Sequence, residues 1–205
     1  MDETVLATGF GPFGEHKVNA SWEAVKLLPD TIQDTSIIKK EIPVIYGCVD
    51  STVPSLWRQY NPLLVIHVGV SSLASKLTIE KCAHGSGYNR CDVAGTSHTS
   101  GDLQCNLQDC IYTAIDTDVI CEHLNSTGSV KSCTSCDAGR YLCEYIYYKS
   151  LSIDHSRCLF IHVPPIDHPY STKEMASAIE SIIKCCLQQQ KERNQLKENV
   201  CSMKI

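Results

Sequence analysis

Two periodicities divide this chain. Short apolar runs bounded by Gly, Pro or Asn read as strands: Thr4–Thr8, Ser36–Ile42 (closed by Pro43), Leu63–Val70, Leu77–Cys82, Gly128–Thr134 and Arg157–Pro164. Between them, apolar residues recur at helical spacing. Ala20–Leu28 is predicted as a short helix behind an Asn19 cap and before Pro29. A second helix spans about Val49 to Tyr60, with Pro54 near its start. A third runs from Asp116 or Thr117 to Leu124, and a fourth follows the Gly-containing turn of Ser135–Glu144. Ser171-Thr-Lys-Glu174 is a capping box, and Met175, Ile179, Ile182, Ile183, Cys186 and Leu187 form the apolar face of the helix it starts. Leu63–Val70 is almost wholly apolar, as expected of a strand buried on both faces. Strands alternating with helices predict an α/β fold, a three-layer α/β/α sandwich around a mostly parallel twisted sheet. With no repeat and no boundary, residues 1–190 read as one α/β domain and 191–205 as a polar tail, with fraying expected from about Gln188.

Composition narrows the partners. A net charge of −5 gives no nucleic-acid footprint, and no apolar run reaches the length of a membrane span. The acidic start Met1-Asp2-Glu3-Thr4 leads straight into a strand, so no secretory leader is expected and the cytosol is the expected compartment. The 13 cysteines then read as free thiols rather than a disulfide framework. The polar stretch Ala83–Cys110 is read as a long loop of the kind used for lids or binding. It holds His84, Cys91, His98, Cys105 and Cys110, with Cys82 just before it. Their spacing matches no zinc-ligand pattern, so neither metal nor cofactor is expected.

Chemistry concentrates at strand ends. Cys143 falls in the first two turns of its helix, where unpaired N–H groups and the helix dipole favour a thiolate; the same position also suits a small buried residue. Gly9-Phe-Gly-Pro-Phe-Gly14 formally matches a dinucleotide fingerprint, but the following helix starts only near Ala20 and Pro12 lacks a donor. Two phenylalanines on that frame, Phe10 and Phe13, suit an apolar slot or simply the core. Glu80 reads as an edge carboxylate or a buried partner for a base, and His162 as a core histidine or that base. In a parallel sheet the Phe10–Phe13 turn, the Gly69 loop, Cys143 and His162 gather at one edge, the general pattern for thiol acyl transfer.

Four ordered stretches resemble one family. Thr8-Gly-Phe-Gly-Pro-Phe-Gly-Glu15 with Val18-Asn-Ala-Ser-Trp22 resembles the amino-terminal signature of the pyroglutamyl-peptidase I family, cytosolic cysteine exopeptidases. Leu77–Cys82 resembles its glutamate motif, Ser135–Glu144 its cysteine motif, and Phe160-Ile-His-Val-Pro-Pro165 its histidine segment. The resemblance implies hydrolysis of an amino-terminal pyroglutamyl residue from peptides, with no cofactor. It implies Cys143 as nucleophile, His162 as base and Glu80 as orienting acid. Phe10 and Phe13 would sandwich the lactam, Tyr141 and Leu142 would flank the nucleophile, and Asn19 would organise the Phe10–Phe13 loop. The Cys143 N–H is the expected oxyanion donor, and Arg90 a second candidate. Ser72 departs from the Gly, Ala or Pro of the family pattern, Gly85 from its Asn, and Glu144 from Asp, Asn or Ser. Two other readings stay open: a pyroglutamyl-peptide binding module with a degraded pocket, and a redox pair at Cys133-Thr-Ser-Cys136. Monomer and homo-oligomer are equally compatible with the sequence.

Overall fold

The structure is a computed structural model and describes residues 3–14, 17–98 and 110–202. In chain order the elements are β1 (Thr4–Phe10), α1 (Ala20–Lys26), β2 (Thr31–Ile32), β3 (Thr35–Ile42), α2 (Tyr46–Tyr60), β4 (Leu64–Val70) and β5 (Leu77–Glu80). There follow β6 (Cys82–His84), β7 (Cys110–Tyr112), α3 (Thr117–Thr127), β8 (Ser132–Ser135), α4 (Leu142–Asp154), β9 (Cys158–Val163) and α5 (Thr172–Ser202). Seven strands form one sheet in the order β2-β3-β1-β4-β9-β5-β8. One apolar cluster packs α1, α3 and α5 against one face, and a second packs α2 and α4 against the other. This is the three-layer α/β/α arrangement expected from the alternating pattern. The central strands β4 and β9 are apolar on both faces because both are covered by helices. No helix among the described residues is long and apolar enough to cross a membrane.

Polar groups inside β4 are matched to partners. His67 is buried, with Nδ1 2.7 Å from Thr8 Oγ1 and Nε2 2.7 Å from Ser150 Oγ. Burial pushes its pKa down to about 3, so it is a neutral core histidine.

The structure differs from the sequence reading in three places. β3, β1, β4 and β9 run parallel, but β5 and β8 run opposite to β9. Glu80 and the loop after β8 therefore do not reach the site from the same sheet edge as Phe10, Gly69 and His162. Secondly, part of the Ala83–Cys110 stretch is not loop: β6 and β7 pair as a separate antiparallel ribbon. Residues 99–109, with Cys105, lie outside the described residues. Thirdly, the chain beyond Gln188 is helical as far as Ser202 rather than frayed. Its polar side chains dock: Gln189 exchanges hydrogen bonds with the Asp116 backbone, and Arg193 donates to the Ala114 and Ser156 carbonyls.

Candidate active site

Strand register builds the first half of the site. In the β5–β9 pair Thr78 lies opposite His162 and Glu80 opposite Phe160. Side chains two apart share a face, so Glu80 and His162 both point toward α4. His162 Nδ1 lies 2.8 Å from Glu80 Oε1. Glu80 is 1% exposed, and its Oε2 has no hydrogen-bond partner among the described residues. A half-satisfied buried carboxylate is tolerable only beside a positive charge. The ring supplies it. Burial by itself favours neutral imidazole, but hydrogen bonds and charge interactions with Cys143 and Glu80 outweigh that and lift the His162 pKa to about 10.

The second half is the start of α4. Cys143 is the second residue of that helix, as its sequence context predicts. Gly69 of β4, paired with His162, lies directly beneath it: a Cβ there would sit 2.7 Å from Cys143 Sγ and 2.8 Å from Phe160 Cζ. Only glycine leaves room for the sulfur between sheet and helix. The Phe160 ring also backs His162, with centroids 4.8 Å apart. Sulfur, imidazole and carboxylate thus follow one another across three adjacent strands.

A family model described as pyroglutamyl peptidase matches residues 3–189. Pyroglutamyl-peptidase 1 from Homo sapiens is 43% identical over 187 residues, covering 88% of each chain. Pyrrolidone-carboxylate peptidase from Lactobacillus helveticus is 31% identical over 166 residues, 78% of this chain and 82% of its own. The chain belongs to the pyroglutamyl peptidase family. Its fold is also that of pyrrolidone carboxyl peptidase from Thermococcus litoralis, with a TM-score of 0.85 at 22% identity, covering 93% of this chain and 96% of that one.

In this family member the Cys143 centre opens into a cavity of about 670 Å³. Phe10, Phe13, Asn19, Tyr141 and Leu142 all line it, together with Glu80, Cys143 and His162. Asn19 spends its polar atoms on the loop: Nδ2 donates to Gly11 O, while Oδ1 accepts from Ser21 N and Oγ. Ser21 Oγ in turn accepts from Phe10 N. Tyr141 donates to Cys91 O and lies under the Arg90 guanidinium, 4.5 Å from the ring centroid. Ser72 and Arg90 line the cavity; Gly85 does not. The redox reading fails on position, since Cys133 lies within β8 and α4 does not begin until Leu142.

Glu144, a departure from the family pattern in sequence, is central to the packing around the turn. Its side chain is fully buried. Oε1 accepts from His84 N and lies 2.7 Å from His84 Nδ1; Oε2 accepts from Arg140 N at 2.7 Å. Arg140 Nη1 donates to both oxygens. Arg140 itself has φ of 49°, a left-handed conformation that disfavours side chains, so these bonds hold the turn that delivers Cys143. The one available signal was a carboxylate four residues after an arginine at a helix start.

Glu144→Ala should lower unfolding free energy in urea by about 3 kcal/mol, because buried donors lose their acceptor. Asp137→Ala, which removes the exposed partner of Arg140, should cost under about 1 kcal/mol. Histidine-selective NMR titration should find His162 protonated at pH 8, with the proton lost near pH 10; in Cys143→Ala the midpoint should fall. Because the folded-state pKa is raised, the stability linked to this proton is complete below the ordinary 6.5 and disappears as pH rises through about 10.

Proposed function

We propose that this chain hydrolyses the amide bond after an amino-terminal pyroglutamyl residue of peptides, as a thiol omega-exopeptidase. Cys143, His162 and Glu80 would be its nucleophile, acid–base and orienting residue. The observation that carries the reading is the line from Cys143 through His162 to Glu80 at the floor of a slot walled by Phe10 and Phe13. Family membership supports the same activity.

Each group has a physical reason for its part. A pyroglutamyl lactam carries no ammonium group, so its ring suits apolar walls rather than a carboxylate. An imidazolium beside a sulfur stabilises the anionic, nucleophilic form. The Cys143 sulfur attacks the pyroglutamyl carbonyl carbon, and the developing oxyanion is taken by the backbone N–H of Cys143 in the first turn of α4. His162 passes its proton to the leaving nitrogen as the C–N bond breaks, leaving a thioester. The neutral ring then removes a proton from water, the water oxygen attacks the thioester, and the sulfur leaves with the pyroglutamate released. Glu80 holds Nδ1 throughout, which keeps the other ring nitrogen toward the sulfur and offsets the ring's charge. A pyroglutamyl-peptide binding module would have no use for this alignment. The eleven cysteines whose side chains are described are free thiols, which suits a reducing compartment such as the cytosol.

Hydrolysis of a fluorogenic pyroglutamyl amide should fall by at least about 10⁴-fold in kcat for Cys143→Ala. It should persist in Cys136→Ala. Turnover retained in the first variant and lost in the second would contradict the proposal.

A further inference from the structure

We propose that Cys82, His84 and Cys110 form a thiolate–imidazole site for a zinc-class divalent ion on the β6–β7 ribbon, beside the Cys143 centre but separate from it. One ligand atom from each of these residues lies within 4.8 Å of the other two. The ribbon register explains why. Cys82 and His84 are two apart on β6 and share a face, and Cys110 is paired directly with His84. The fold thus assembles a group that sequence spacing hides. Zinc knuckles place two cysteines a few residues apart, whereas here the ligands come from two strands joined by a long connection.

The surroundings fit the ligand set. His84 Nδ1 lies 2.7 Å from the buried Glu144 carboxylate, which can only accept, so the ring donates there and its Nε2 lone pair is the one presented to a metal. A carboxylate behind the far nitrogen is the usual means by which metal-binding histidines are oriented. Cys82 is buried, with its Sγ donating to the Cys136 carbonyl, while His84 and Cys110 are half-exposed and give the site an entrance from solvent. Two sulfurs and one imidazole nitrogen form a soft donor set, suited to zinc and poorly suited to magnesium or calcium. A tetrahedral zinc ion holds its sulfur ligands about 3.5–4 Å apart, so the three atoms need to close by only about 1 Å. Each thiol gives up a proton to the solvent as its metal–sulfur bond forms. A bound ion would tie the ribbon to Glu144 through His84, and hence to the turn that presents Cys143.

The test uses the full chain, reduced and freed of metal with a chelator, in a Cys143→Ala background that removes the catalytic sulfur as a competing ligand. Cobalt(II) is titrated as the spectroscopic probe and zinc as its competitor. The expected result is one equivalent of cobalt with a thiolate-to-cobalt charge-transfer band, displaced by zinc and accompanied by proton release. Adding Cys110→Ser, a half-exposed position, should weaken cobalt binding by at least the 10–100-fold, roughly, that loss of an outer-shell partner costs. Cys82→Ser should do the same, with circular dichroism confirming that both variants are folded. Absence of the charge-transfer band in the Cys143→Ala protein, or its full retention in both serine variants, would overturn the site.

Discussion

The site depends on one antiparallel strand pair. Because β5 runs against β9 in a register that sets Thr78 opposite His162, the Glu80 carboxylate comes within 2.8 Å of the His162 ring. A slip of one residue would turn Glu80 to the opposite face and leave the ring without its carboxylate partner. The pairing is enforced by burial: Leu77 and Ile79 are fully buried on the α1–α3–α5 side, which leaves Thr78 and Glu80 on the other. Hydrophobic packing on one face thus aims the chemistry on the other.

Charge and space then cooperate at Cys143. Burial of a lone imidazole would favour its neutral form, as it does at His67, whose ring nitrogens meet the Thr8 and Ser150 hydroxyls. At His162 a sulfur and a carboxylate reverse the outcome. The space for that sulfur comes from Gly69, where any side chain would collide with Sγ and with the Phe160 ring. Glu144 fixes the turn above, using bonds that are shielded from water and therefore worth more than the exposed Asp137–Arg140 pair.

Much of this was legible in the order of the residues, because strongly periodic segments carry their own instructions. The strands β1, β3, β4, β5 and β9, the helix start at Cys143, the Ser171 capping box and the α/β/α layering follow directly from spacing and caps, whereas the two-residue β2 does not. The direction of β5 and β8 did not, since alternation of strands and helices favours parallel pairing and nothing local distinguishes a reversed strand. The β6–β7 ribbon was hidden for a related reason: three-residue strands separated by a long polar stretch leave no periodic trace. The docked polar end of α5 depends on Gln189 and Arg193 meeting backbone groups distant in sequence. His67 and His162 occupy similar apolar strands, and only the neighbours across the sheet tell a core histidine from one beside a sulfur and a carboxylate. Without the four ordered motifs, the ordinary reading of Glu80 as an edge residue was reasonable.

Nucleophilic reactivity at Cys143 depends on its sulfur being held beside a protonated imidazole. The most direct measurement is brief iodoacetamide labelling of the native protein near neutral pH, with the alkylated positions mapped in order of rate. Cys143 should react well ahead of the exposed thiols of Cys91 and Cys136, despite being less accessible. Labelling of Cys91 or Cys136 ahead of Cys143 would contradict that arrangement.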